Sequence, residues 1–314
     1  MILRHSLNVV LACLLTACNG QKALEPAALS AMYTNPLPPP DKPLRVFYIG
    51  HSLVNKDVPM MLEQLAGAGH DHRSQLGWGA SLRSHWEPDV PVNGFDVENA
   101  HPRYQDARQA VDSGRFDVLV LAESVEIKDA IKYQQSPKYI RQWARAARTA
   151  NPLTRVYLYE LWHELNDAKG WLQRLDEDLA LYWEGVLLAQ GMAHGDTGGP
   201  IYVIPAGQVM ARLVREVESR GGVDRLRSRE DLFNVNDKGE RDMIHLSPLG
   251  NYLVALTHYA VLYHRPPPTQ PFDVQLVDGS PWLPISPELA KLMSQVVWSV
   301  VTSYPKTGVA QSKP

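Results

Sequence analysis

The stretch Leu44 to Leu53, LRVFYIGHSL, constrains the fold most. An apolar, β-rich run breaks at Gly50, presents His51 and Ser52, and hands over to an amphipathic helical pattern from Asp57 to Ala68. A strand that ends in a tight turn bearing a serine and continues as a helix is how an α/β protein displays a nucleophilic hydroxyl. The chemistry is therefore expected at Ser52.

The remainder alternates in the same manner. Strands are expected at 44–49, 72–77, 116–124, 155–161 and 201–206, with helices near 57–69, 104–113, 137–150, 168–191 and 207–219. A long loop runs through Pro102, and a polar loop at 220–241 is a candidate lid. Helices over Pro248–Tyr263 and Pro287–Tyr304 close the chain. Runs such as FDVLVLAES are continuously apolar, as parallel strands buried on both faces are. The order implies a mostly parallel sheet covered by helices on both faces, with ligands at the carboxyl ends of the strands.

Four segments are expected along the chain. Residues 1–18 have Arg4 and His5 ahead of an apolar run, Leu7 to Leu15, too short to span a bilayer, and read as a signal segment. Residues 19–43, with NPLPPPDKP, read as an extended tether, 44–306 as the folded domain, and 307–314 as a flexible tail. The only cysteines are Cys13, inside the signal segment, and Cys18, so the mature fold has no intramolecular disulfide and no cysteine metal site. A formal charge of −3 without a basic run gives no footprint for nucleic acid.

A serine needs a base, and the base needs an orienting carboxylate. Asp242 and His245, three residues apart before the helix at Pro248, are the candidates, with His245 taking the Ser52 proton and Asp242 fixing its tautomer. Alone, that spacing is a common pattern, and Asp242 reads equally as a solvated loop residue.

Three motifs together resemble the SGNH/GDSL esterase superfamily, in particular a branch with G-[NH]-S at the nucleophile. They are Gly50-His51-Ser52-Leu53, Gly79-Ala80-Ser81-Leu82 beside His85, and Asp242-Met243-Ile244-His245-Leu246-Ser247 with Gly250. The resemblance, from Leu44 to about Pro266, implies a flavodoxin-like three-layer α/β/α sandwich. It also implies Ser52 as nucleophile, Asp242 and His245 as orienter and base, and an oxyanion hole from the Ser52 and Gly79 amides, with Gly77 as the substitute for Gly79. The family's oxyanion asparagine has no counterpart: the third strand ends Leu121-Ala122-Glu123-Ser124. A missing donor costs about 3–4 kcal/mol of transition-state stabilisation unless replaced. Ser124 is one replacement, whereas an ionised Glu123 only accepts and is read as structural or substrate-orienting. The segment Leu15-Thr16-Ala17-Cys18 resembles a bacterial lipobox, which implies cleavage before Cys18 and its acylation. Asn19 then implies outer-membrane sorting in a Gram-negative source.

Other residues carry two readings each. His51 is a substrate contact or an elbow residue packed sideways; His85 and Trp86 line a pocket or pack in the core. Trp162, beside His163 at the end of the fourth expected strand, is a sugar-stacking ring or a core tryptophan. Gln208 reads as a helix cap, and Trp171 and Trp183 as core. His70 and His72 flank Asp71 but lack a convincing third ligand, so no metal and no cofactor is expected. The expected function is a lipid-anchored, extracytoplasmic serine esterase acting on a small-molecule or carbohydrate ester, with a short acyl group, acetyl above all, expected by analogy with that branch and from the aromatic-rich loops. Two rivals remain: a surface lipoprotein that binds carbohydrate with little catalysis, and a lipase or thioesterase for long acyl chains. The sequence sets no oligomeric state.

Overall fold

Five strands form one parallel sheet in the order β2-β1-β3-β4-β5. They are β1 (Arg45–His51), β2 (Asp71–Gly77), β3 (Val118–Leu121), β4 (Arg155–Glu160) and β5 (Tyr202–Pro205). The computed structural model describes residues 22–280 and 282–311. The signal segment, Cys13 and Cys18 lie outside the described residues. The strand order is that of a flavodoxin-like doubly wound sheet, whose topological switch falls between β1 and β3. Nearly every residue of β1, β3 and β4 is buried, because helices cover both faces.

On one side pack α2 (Asp57–Ala66), α10 (Ala206–Ser219), α11 (Pro248–Tyr263) and α12 (Pro287–Ser303). On the other pack α3 (Leu82–Trp86), α5 (Ala107–Asp112), α6 (Ile127–Gln134) and α7 (Ser136–Ala150). Helix α7 is amphipathic, burying Tyr139, Ile140, Trp143, Ala144 and Ala147 at helical spacing. Helix α11 is apolar almost all round because it lies between α2, α10 and α12, and its burial is nearly complete. The Ser247 hydroxyl caps it, accepting the Gly250 amide at 3.3 Å.

The expected tether is fastened to the domain. Helix α1 (Pro26–Ala31) buries Leu29, the buried Tyr33 donates to the Ile201 carbonyl at 2.6 Å, and the Leu37 amide donates to the Gly308 carbonyl at 2.8 Å. Arg155 donates to the Pro38 carbonyl (2.7 Å), and Lys42 pairs with Asp117 (2.8 Å). Ile201, Arg155 and Asp117 stand at the starts of β5, β4 and β3, so this segment is a strap beneath the sheet's amino ends. Apolar side chains give it an area to bury that a pure polyproline spacer lacks. The expected tail is likewise held at its start, where Thr307 and Val309 are buried.

Other differences are local. The helix expected over 168–191 begins at Trp171, after Gly170 at φ +90°, and runs as α8 (Trp171–Asp178), a π-helical segment (Leu179–Leu188) and α9 (Ala189–Gly191). The long loop holds α3 and α4 (Phe95–Glu98). Part of the polar loop is strand: β6 (Phe233–Val235) pairs antiparallel with β7 (Arg241–Leu246), and Asp242 and His245 lie on β7. Among the described residues no helix is long and apolar enough to cross a membrane.

Candidate active site

The serine turn is built by close approach. A β-carbon on Gly50 would come within 2.7 Å of Ala122 Cβ and 2.9 Å of Val54 Cγ2, so β1 can run against β3 here only as glycine. One residue past His51 the chain leaves the sheet, and the Val54 amide closes the turn on the His51 carbonyl at 2.9 Å. Ser52 is thereby set at the carboxyl end of β1, beside the switch point.

The β6–β7 hairpin brings the other two groups. The Ser52 hydroxyl lies 3.0 Å from His245 Nε2, and His245 Nδ1 lies 2.9 Å from Asp242 Oδ2. A carboxylate only accepts, so the imidazole carries its proton on Nδ1 and offers Nε2 to the serine. Asp242 Oδ1 meanwhile accepts the amides of Ile244 and His245, each at 2.8 Å. Partial burial pushes the Asp242 carboxyl up, but those two amides and the imidazole outweigh it and hold it below its ordinary range.

The hairpin is pinned from behind. The Leu165 amide donates to the Met243 carbonyl at 2.7 Å, and Trp162 Nε1 donates to the Ile244 carbonyl at 2.7 Å. At its far end, a β-carbon on Gly250 would meet the Leu232 carbonyl at 2.3 Å, so helix α11 packs directly on the 3-10 turn (Arg229–Leu232) that precedes β6.

These groups open onto a cleft of about 660 Å³, which Gly79, Trp78, Lys56, Glu98 and Asn234 also line. Gly79 sits at φ +56° with nothing near its absent β-carbon. The loop hydrogen bonds leave the Ser52 and Gly79 amides without an acceptor among the described residues. Gly77 is instead a packing position, where a β-carbon would lie 2.1 Å from Val92 Cγ1.

The five candidate substrate contacts, His51, His85, Trp162, Ser124 and Glu123, are all buried, which for His51, His85 and Trp162 is the packed alternative. His51 is buried; its Nε2 donates to the Glu123 carbonyl (2.9 Å) and its Nδ1 accepts the Leu53 amide (3.3 Å). His85 is also buried, donating from Nε2 to the Gly50 carbonyl (2.7 Å) and accepting from the Gln75 amide group (2.9 Å). Burial pushes both imidazoles down to about 4, so they are neutral struts beneath the serine turn. Trp162 is 1% exposed, because the hairpin covers the end of β4. Ser124 is buried, and its hydroxyl donates to Glu123 Oε1 at 3.2 Å. Glu123 is wholly buried; the same Oε1 accepts the amides of Leu82 (3.2 Å) and Ser124 (2.8 Å), joining the loop after Gly79 to the end of β3. Burial raises the Glu123 carboxyl above its usual range despite these bonds.

The remaining polar residues are structural in placement. His70 bonds the Tyr263 hydroxyl at 2.7 Å, and His72 lies 2.8 Å from Glu63. Among the described residues one group has metal-ligating spacing, Glu126, His163 and Asp178. The Arg174 guanidinium fills it, 2.7 Å from both carboxylates. Gln208 donates from its side chain to Glu160 and to the Leu175 carbonyl at the start of α10.

Sequence reasoning passed over Trp78, Glu98, Lys56 and Asn234. Trp78 stands between Gly77 and Gly79, the two glycines weighed for the oxyanion hole, which is the available signal.

No protein-family model matches this chain, and no curated protein matches it. Among solved structures it is similar to a DUF4886 family protein from Bacteroides uniformis ATCC 8492, at 16% identity and TM-score 0.51, over 84% of this chain and 96% of that one. It also aligns with a protein assigned as a GDSL-like lipase from Parabacteroides merdae ATCC 43184, at 13% identity and TM-score 0.40, over 71% and 96%. A third match is a carbohydrate esterase family 3 protein from Talaromyces cellulolyticus, at 15% identity and TM-score 0.34, over 70% and 97%. At 16% identity the likeness to the DUF4886 family protein shows the fold alone.

Proposed function

We propose that this chain is a serine ester hydrolase. The observation that carries the reading is the continuous chain from the Ser52 hydroxyl through His245 to Asp242, at 3.0 and 2.9 Å. In the proposed reaction Ser52 Oγ attacks the ester carbonyl carbon while its proton passes to His245 Nε2. Asp242 holds the imidazole in register and stabilises the imidazolium that forms. The Ser52 and Gly79 amides receive the oxyanion. As the intermediate collapses, His245 gives the proton to the departing alcohol, and a water activated by His245 then releases the acid and restores Ser52.

The acyl group is proposed to be short, acetyl above all, on a carbohydrate. Acylation of Cys18 would place the enzyme at a bacterial cell envelope, on the outer membrane. With the Ser124 hydroxyl committed to Glu123, the third-strand position supplies no oxyanion donor. That observation favours, as a second reading, a carbohydrate-binding lipoprotein with little catalysis.

Hydrolysis of p-nitrophenyl acetate by the purified chain, beside Ser52→Ala and His245→Ala, tests the first reading. Turnover that both substitutions abolish supports it. Equal inactivity of all three, on this ester and on acetylated sugars, moves the binding reading ahead. Rates that climb from acetyl to longer acyl esters would favour a lipase or thioesterase.

A further inference from the structure

Trp78 is held in place yet left open. Among the described residues Trp78 and Tyr133 are the two aromatic side chains more than half exposed, at 52% and 56%, and only Trp78 lines the catalytic cleft. An exposed tryptophan ordinarily has rotamer freedom, but here two contacts hold the ring and a third holds its backbone. Its amide donates to the Asn93 carbonyl at 2.7 Å, and its indole Nε1 donates to Glu98 Oε1 at 2.8 Å. Gly94, at φ +65°, lies against the ring: a β-carbon there would fall within 2.2–2.6 Å of three indole carbons. One face of the ring is thus backed by glycine, its polar edge is spent, and exposed ring surface remains in the cleft.

The polar groups beside it are matched. Glu98 Oε2 lies 3.8 Å from Lys56 Nζ, which also donates to the Val97 carbonyl at 3.4 Å. Carboxylate and ammonium together offer an acceptor and donors with no net charge. A flat apolar platform flanked by such a pair suits a ring with apolar C–H faces and equatorial hydroxyls.

We infer that Trp78, Glu98 and Lys56 form the subsite for the alcohol half of the ester, a neutral pyranoside stacked on the indole. The inference rests on the hydrolase reading for its location beside Ser52, and it names the residues that select the substrate. A net-neutral rim gives an anionic sugar no advantage, and the fixed indole lowers the entropy cost of docking.

Two measurements on the full chain test it. The first is the ratio of kcat/KM for a monoacetylated methyl β-xyloside to that for ethyl acetate. Losing a stacked area on the order of 60 Å² lowers that ratio about tenfold in Trp78→Ala. Gly94→Ala, which keeps the indole but displaces it, is expected to act in the same direction. The second is titration of Ser52→Ala with methyl β-xyloside, followed by tryptophan emission, with Ser52→Ala/Trp78→Ala as the control. A saturable change that vanishes in the double variant supports the subsite. An unchanged ratio together with an unchanged titration overturns it, as does a preference of tenfold or more for an acetylated uronoside. Ester turnover that survives Ser52→Ala would sink the hydrolase reading instead, and the change lost on removing Trp78 would still decide the platform.

Discussion

The indole N–H of Trp162 donates to the carbonyl oxygen of Ile244 at 2.7 Å, one residue before the histidine that faces Ser52. A ring that sequence position nominates for substrate thus acts as a bolt behind the hairpin. Replacing Trp162 with Phe keeps most of the packing and leaves that carbonyl without its donor, at a cost of about 1 kcal/mol. The expected result is a thermal midpoint lower by about 2–4 °C. kcat should drop severalfold with KM little changed. A KM effect as large as the kcat effect would place the ring in the binding surface after all.

Asp242 performs two tasks with two oxygens, and Asp242→Asn separates them. The amide oxygen can still accept the Ile244 and His245 amides, so the hairpin should keep its shape. The amide nitrogen cannot accept from Nδ1, so the imidazole loses the tautomer that serves Ser52. By analogy with other serine triads kcat should fall about 10³–10⁴-fold, with the circular dichroism spectrum unchanged. A loss under tenfold would mean that another group orients His245.

His51, His85 and His258 are buried, and burial lowers each to about 4 from 6.5. Between those values the unfolded chain binds more protons than the folded one, so stability is lost as pH falls from 6.5 towards 4. Each site contributes at most about 3 kcal/mol. Thermal midpoints measured from pH 7 down to 4 should fall steeply, and a flat profile would contradict neutral burial of these rings.

Glu160 acts in the opposite sense. Buried at the end of β4, where it accepts from Gln208, its carboxyl is pushed up to about 8 from 4.5. The folded state therefore binds the extra proton, and this contribution to stability is lost as pH rises from 4.5 through 8. Glu160→Gln imitates the protonated group, so the decline in thermal midpoint between pH 6.5 and 9 should be shallower than in the wild type. An identical slope would show that Glu160 does not titrate in that window.

Gly50→Ala puts a methyl group into the contact between β1 and β3. With Ala122 Cβ at 2.7 Å, either the strands part or the serine turn shifts, and overpacking of this kind costs about 1–3 kcal/mol. Denaturant unfolding should show that loss together with reduced kcat. Wild-type stability and turnover would mean that the turn has room that this geometry denies it.

The sheet was readable in the sequence because parallel strands buried on both faces leave unbroken apolar runs, as VFYI and VLVL do here. The β6–β7 hairpin was not. Asn234 and Val235 of β6 are exposed, and Arg241 to His245 of β7 are only half-buried, so neither strand carries an apolar period. The positions of Ser52, Asp242 and His245 were nominated by short local motifs, and the structure brings those three together. The cleft wall was harder to foresee. Whether a tryptophan is covered depends on what packs over it, which lies far away in sequence: β7 covers Trp162, whereas Gly94 and Glu98 brace Trp78 without covering it. The strap is hard to read because its proline content suggests a spacer, while the apolar residues that fasten it are spread singly through the segment.

That strap also bears on which way the cleft faces. It binds beneath the amino ends of β5, β4 and β3, whereas Ser52 opens at the opposite, carboxyl end of the sheet. Leu24 is tied to the Ala189 carbonyl at 2.9 Å, and residues 19–23 separate it from Cys18 in the sequence. Fully extended, those residues reach about 17 Å. Under the proposed acylation, an anchor there would hold the chain by its underside, with the cleft facing away from the lipid.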